Sequence, residues 1–224
     1  MFKIFFRKLM NIIKLIIFKT IWRKKNQHNF TIAQNIFPIE KVIVGKKTYG
    51  SLFVNTYGNP IEKLIIGSYC SIGQDVIFLL GGEHPYKALS TYPFKKYICD
   101  LNEDTLTKGP IIVEDDVWVG QRSLILSGVT IGKGAVVAAG SIIAKDIPPY
   151  AIYAGGKVIK YRFPDDIIKQ LMKFNYDKLN EETIKSNIDF LYTDLNIEML
   201  DKEFVRDNCN DRSKDDERKG KNVY

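Results

Sequence analysis

From Val113 onward an aliphatic residue returns at every sixth position: Val113, Val119, Ile125, Ile131, Val137 and Ile143. Ile66 and Ile72 keep the same spacing upstream, and Val44-Gly45 starts a weaker unit. A spacing of six matches neither the 3.6-residue turn of an α-helix nor the two-residue alternation of a strand. It is the signature of a parallel β-helix, built from short repeats that stack. Each unit supplies one short strand and a turn, with the aliphatic side chain inward. Three units close one triangular coil, and stacked coils line the aliphatics into an interior column. Backbone hydrogen bonds then run between coils, so no coil is stable without a neighbour. The residue after each aliphatic is mostly small or acidic, which suits a tight corner. A β-sandwich would instead show turn signals about every 8–12 residues.

The register breaks between Ile77 and Ile112. A regular solenoid must push such an insertion out as a loop, and long loops on regular scaffolds carry function. The expected organisation is mainly β: residues 42–160 as parallel β-helix, with residues 78–111 as the excluded loop. After Pro148-Pro149 the repeat ends. Phe163-Pro164-Asp165-Asp166 reads as a helix start, with proline in the first turn and acids at the positive end. A stripe of Ile167, Ile168, Leu171 and Phe174 follows, and a second helix is expected from Glu181 to Leu191. Residues 161–195 are thus expected as C-terminal helices, and 196–224, highly charged and mixed in sign, as a mobile tail.

The net charge is +7, but residues 1–25 alone hold eight basic residues and no acid. The remainder is therefore close to neutral, and a nucleic-acid partner is not expected. Within residues 2–18 the pattern is helical. Phe2, Phe5, Phe6, Leu9, Met10, Ile12, Ile13, Ile16 and Ile17 share one arc, and Lys3, Arg7, Lys8, Asn11 and Lys14 lie off it. This is the pattern of a helix lying in a membrane interface, peripheral and not spanning. A helix packed on its own body or on a sister subunit is the alternative, and the sequence leaves both open. Residues 26–41 read as a linker. Three cysteines, with no CxxC pair, give no zinc motif and fit a reducing, cytoplasmic setting. Cys70 and Cys99 are expected as small apolar filler.

The six-residue repeats, the loop Gly81-Gly82-Glu83-His84 with Ser90-Thr91-Tyr92-Pro93-Phe94, and Asp116-Val117-Trp118-Val119-Gly120 together resemble the xenobiotic acetyltransferase branch of the hexapeptide-repeat acyltransferases. That branch includes streptogramin and hexapeptide chloramphenicol acetyltransferases and relatives assigned to polysaccharide O-acetylation. The resemblance covers about residues 40–175. It implies a left-handed coil, a homotrimer with active sites between adjacent prisms, and acetyl-CoA as co-substrate.

Carried over residue by residue, Trp118 matches the tryptophan lining the acetyl end, and Gln121 stands where relatives hold a small residue near the thioester. Ala139, Ala144 and Lys145 match the stretch beside the pantetheine arm. Lys157 and Lys160 match basic positions facing the nucleotide phosphates. One departure is visible. Relatives read Gly-Gly-x-Pro-Ala-Lys-Val-Ile where this chain has Ala154-Gly155-Gly156-Lys157-Val158-Ile159, two residues shorter and without the proline.

The chemistry has its own support in the sequence. Of two histidines, His28 lies in a polar stretch and His84 in the excluded loop beside two glycines. An imidazole titrates near neutrality and can take a proton from an attacking hydroxyl. No nucleophile motif such as GxSxG is present. Direct transfer, with His84 as catalytic base, is the expected mechanism; Glu83 is a candidate to orient the imidazole or to meet the acceptor, and Tyr49 is a candidate to meet the acceptor. Glu114, Asp115 and Asp116 are expected in a coil corner, with no metal. The expected activity is O-acetylation of a sugar hydroxyl on a surface polysaccharide or its lipid-linked precursor. Antibiotic acetylation, sugar N-acetylation and an inactive assembly module are the alternatives.

Overall fold

A computed structural model of the chain describes residues 2–101 and 105–209, with backbone alone for residues 2–5. A helix, α1 (Phe2–Lys25), precedes β1 (Phe30–Ala33), β2 (Val42–Val44) and β3 (Tyr49–Asn55). Then come β4 (Leu64–Ile66), β5 (Ser71–Ile72), β6 (Ile77–Leu79) and a short helix α2 (Phe94–Tyr97) in the excluded loop. The repeat resumes with β7 (Ile111–Val113), β8 (Trp118–Val119), β9 (Leu124–Leu126), β10 (Thr130–Ile131), β11 (Val136–Val137) and β12 (Ile142–Ile143). A hairpin, β13 (Ala151–Ala154) and β14 (Lys157–Tyr161), ends this unit.

The strands pair in parallel on three faces. One face stacks β1, β3, β5, β8, β11 and β13; a second stacks β3, β6, β9 and β12; the third stacks β2, β4, β7 and β10. Trp118 pairs with Val136, Ile112 with Thr130 and Leu124 with Ile142, each 18 residues on, which is one coil of three hexapeptides. All six aliphatics of the repeat are buried in one continuous core with Leu52, Leu64, Ile66 and Phe78. Each such burial stabilises by roughly 1.5–3 kcal/mol.

The corner between the third face and the first has its own backbone column. Lys47, Tyr69, Asp116, Gly134 and Tyr150 all have positive φ, between 57 and 66. The Tyr69 N–H donates to the Lys46 carbonyl, Asp116 to Ser68, Gly134 to Asp115 and Tyr150 to Lys133. Left-handed backbone costs a non-glycine residue about 1–2 kcal/mol, and here each corner recovers an intercoil hydrogen bond. The three adjacent acids belong to this corner. Asp115 Oδ1 accepts from the Ser68 N–H at 2.7 Å and Glu114 Oε2 from the Lys133 N–H at 2.7 Å, so two of them staple coils above and below.

Residues 26–41 are not a linker. β1 pairs in parallel with β3, Phe30 opposite Tyr49, and so forms the first rung of the ladder. Asn29 and Thr31 are fully buried, and Ile39–Lys41 form a 3-10 turn. The last two turns of α1 seat Phe18 and Trp22 in the core, where both rings meet Phe37 edge-on at 5.0 and 5.2 Å. Trp22 Nε1 donates to Thr31 Oγ1 at 3.1 Å. Arg23 donates to the carbonyls of Asn29 at 2.7 Å and Thr31 at 3.1 Å, while Asn29 Oδ1 accepts from the Thr31 N–H. His28 is likewise tied in, its Nε2 lying 2.8 Å from the Val44 carbonyl. No helix among the described residues is long and apolar enough to cross a membrane.

Residues 162–209 form a second unit. α3 (Asp165–Leu171) begins after Pro164, as the sequence predicts. The expected second helix is two, α4 (Glu181–Ser186) and α5 (Ile188–Leu191), broken at Asn187, whose side chain bonds back to the Thr183 carbonyl. The tail expected from residue 196 is folded as far as it is described. A 3-10 helix spans Ile197–Asp201 and α6 spans Glu203–Asp207, with Leu200, Phe204 and Val205 buried. Phe204 packs on Phe190 at 5.4 Å and Phe174 at 6.1 Å. The rest of that tail, residues 210–224, lies outside the described residues.

Cys70 is fully buried, its thiol 3.0 Å from the Glu114 carbonyl, and burial pushes its pKa up to about 12. Only the thiolate alkylates. Cys99 is exposed. Native protein treated with iodoacetamide at mildly alkaline pH is therefore expected to label Cys99 and spare Cys70, by peptide mass spectrometry. Equal labelling of the two would contradict the buried assignment.

Candidate active site

The excluded loop leaves the second face after β6 and returns before β7. The Leu80 N–H still pairs with the Asn55 carbonyl, and the loop's two ends then close on each other, Glu83 bridging Leu106. Two glycines lead into it because nothing larger fits. A Cβ on Gly81 would meet Glu62 Oε1 at 2.8 Å; one on Gly82, at φ 88, would meet the Tyr57 ring at 2.7–2.9 Å. The root beneath them is polar and closed. The Glu62 carboxylate is fully buried and accepts from the Tyr57 and Gly58 N–H groups at 2.9 and 3.2 Å and from Lys41 Nζ at 3.1 Å. Lys41 also donates to the Asn59 carbonyl, Asn59 Nδ2 to the Thr105 carbonyl, and Thr105 Oγ1 to the Tyr57 carbonyl. Thr107 Oγ1 donates to the Leu80 carbonyl at 2.6 Å. Both strands of the loop are thus tied to one buried ion pair.

His84 is exposed, and its Nδ1 lies 2.7 Å from the Thr91 carbonyl oxygen. A carbonyl can only accept, so Nδ1 carries the proton, and in the neutral ring Nε2 is the free base. The Ser-Thr-Tyr-Pro-Phe motif explains how that carbonyl is presented. Ser90 Oγ accepts from the Tyr92 N–H at 3.1 Å, turning the chain at Thr91, and Tyr92 packs edge-on against Phe94 at 4.9 Å. Pro93 then opens α2.

Glu83 does not touch the imidazole through any of these bonds. Its Oε1 accepts from Ser127 Oγ at 3.0 Å and faces Lys108 Nζ at 3.6 Å. With Lys108 mostly exposed the ion pair itself stabilises little; the clamp onto the Ser127 corner is what holds the loop's position.

The remaining candidates fall into three places. Tyr49 and Trp118 share one outward row of the first face, with Ser71 between them in register, and both are more than half exposed. Gln121 and Ala139 share the next corner, where the Gly140 N–H donates to the Gln121 carbonyl. Ala144 and Lys145 follow β12, whose pairing with β9 places them one coil beyond Leu126 and Ser127, at the corner Glu83 grips. Lys157 and Lys160 lie exposed on β14, the antiparallel last strand. The shortened segment is a two-residue hairpin turn: Gly155 and Gly156 have φ 58 and 82, as a type I′ turn requires. Among the described residues, no set of three or more His, Cys, Asp or Glu converges as metal ligands would.

Sequence reasoning missed Lys41 and Glu62. Their one signal is placement: each stands within two residues of a strand of the third face, on adjacent coils.

Known proteins are similar to this chain. Residues 110–145 match the family model described as the hexapeptide repeat of succinyl-transferase. A probable macrolide acetyltransferase of Lysinibacillus sphaericus is 37% identical over 148 residues, covering 62% of this chain and 82% of that protein. A virginiamycin A acetyltransferase of Staphylococcus aureus is 32% identical over 194 residues, covering 79% and 88%. Among solved structures, a hexapeptide-repeat-containing acetyltransferase of Vibrio cholerae is similar at 24% identity and a TM-score of 0.48, covering 65% of this chain and 79% of that one.

Proposed function

The chain belongs to the hexapeptide-repeat acetyltransferase family, and from that premise we propose that it moves the acetyl group of acetyl-CoA to a sugar hydroxyl of a surface polysaccharide or its lipid-linked precursor. The observation that carries the mechanism is His84, exposed in the excluded loop with Nδ1 held by the Thr91 carbonyl. Nε2 takes the acceptor hydroxyl's proton as the oxygen attacks the thioester carbonyl. The carbon–sulfur bond then breaks, and the imidazolium returns the proton to the departing thiolate.

The chain's residues suit an extended co-substrate. Small, exposed Ala139 and Ala144 leave a smooth path along the corners, Lys145, Lys157 and Lys160 offer charge to phosphates, and Trp118 offers a flat apolar surface. Within one chain Ala144 and Lys145 stack on the corner that the loop's Glu83 grips, whereas Trp118, Ala139, Lys157 and Lys160 sit on other corners and strands than the His84 loop. A homotrimer of left-handed prisms, facing the loop of one copy with the corner of the next, would complete the site. Closed symmetric assembly is the usual solution for such a surface.

A drug acceptor is the second reading, favoured by the relatives named for a macrolide and for virginiamycin. The test is thiol release from acetyl-CoA with purified protein and a panel of glycosides, macrolides, streptogramins and chloramphenicol, run beside sedimentation equilibrium. The sugar reading expects kcat/KM for a glycoside at least about tenfold above any drug, a margin of roughly 1.4 kcal/mol, and a mass three times that of the chain. The reverse preference would establish the drug reading. A fully active monomer would remove the composite site.

A further inference from the structure

The helix α1 carries two apolar faces that point in different directions. The narrow one, Phe18 and Trp22, enters the core, at 9% and 0% exposure. The wide one is made of Phe6, Leu9, Met10, Ile12, Ile13, Ile16, Ile17 and Ile21, and it faces away from the body. Ile12, Ile16 and Ile17 are 56%, 58% and 53% exposed. Placed at helical spacing, Lys8 and Lys19 flank this arc on one side and Arg7 and Lys14 on the other. Residues 1–25 hold eight basic residues and no acid. A helix that had only to pack on its own body would need the narrow face alone. A broad apolar arc bordered on both sides by long cationic side chains is the arrangement that sinks into acyl chains while its charges reach phosphates.

We infer that α1 seats the protein on an anionic lipid surface through the arc from Phe6 to Ile21, while Phe18 and Trp22 fix the same helix to the β-helix. Charge complementarity selects this occupant. A second copy of the chain would bring another uniformly basic helix against the first. This inference stands independently of the acceptor.

The structure also decides how to test it. Deleting residues 1–25 would remove Phe18, Trp22 and Arg23 and damage the fold. Ile12→Gln, Ile16→Gln and Ile17→Gln combined change only exposed side chains and keep good helix formers. A second variant, Arg7→Gln with Lys8→Gln and Lys14→Gln, removes flanking charge. The full chain and both variants are co-sedimented with vesicles of phosphatidylcholine alone and with phosphatidylglycerol added, at low and high salt, alongside light scattering and thermal melting.

The expected result is binding of the parent to the anionic vesicles, falling at least about tenfold at high salt as the screening length contracts. Binding by each variant falls at least about tenfold, with melting unchanged. Equal partitioning of the parent and the isoleucine variant would overturn the inference, as would absence of parent binding. A lower mass for the isoleucine variant would also overturn it, because the arc would then be a contact between copies.

Discussion

His84→Ala is expected to lower kcat by about 10²–10⁴, the usual worth of a positioned general base, which corresponds to roughly 3–5.5 kcal/mol of barrier. The melting temperature should barely move, because the side chain is exposed and gives the loop one hydrogen bond, to the Thr91 carbonyl. KM for acetyl-CoA should change little, since none of the small or lysine residues along the corners is touched. His84→Asn separates base from strut. Its amide can still donate to Thr91 but cannot hold a proton between hydroxyl and thiolate, so it should be as inactive as alanine. Turnover at the parental rate in either variant would end the assignment of His84 as base.

The second large effect is expected at Glu62. Glu62→Ala leaves the Lys41 ammonium, 17% exposed, without its carboxylate and strands the Tyr57 and Gly58 N–H groups. Breaking a buried pair from one side costs about 3–5 kcal/mol, which in a chain of this size lowers the melting temperature by on the order of 10 °C. Replacing both partners with apolar residues often restores stability in other proteins. It should restore only part here, because the two backbone donors still lack an acceptor. Activity should fall with stability, since the same carboxylate lies under Gly81. Calorimetry of the single and Lys41→Met/Glu62→Leu double variants tests this. A double variant as stable as the parent would mean that water or a shifted backbone satisfies those donors.

These two residues show how differently a site can be written in a sequence. His84 was readable because it interrupts a strict repeat and sits beside two glycines in a loop the solenoid must exclude. Glu62 was not, because its partner is 21 positions away and only the stacking of coils brings them together. Glu83 shows the same thing on a larger scale: it reads as a substrate or imidazole contact by adjacency, but its hydroxyl partner Ser127 is 44 positions on. The coils themselves were legible from Val113 because burial demands an aliphatic at every sixth place. β1 was not, since Phe30-Thr31-Ile32-Ala33 is a single alternation with no repeat to join. The left-handed corners were also hidden at Lys47, Tyr69 and Tyr150, residue types that rarely adopt that backbone unless the coil before them supplies a carbonyl. The helices after residue 196 were missed because their apolar positions are few, and an Asn side chain starts the first of them by accepting from the Met199 N–H.

The Arg23 and Asn29 contacts on β1 have a consequence for the protein in bulk. A stacked ladder ends in a strand whose outer N–H and carbonyl groups are a template for any further strand, from any chain. Here Arg23 occupies the carbonyls of Asn29 and Thr31, and Asn29 occupies the Thr31 N–H, so side chains stand where another rung would add. On this face, side-chain hydrogen bonds thus occupy the outward backbone groups of Asn29 and Thr31 with which an added strand would pair.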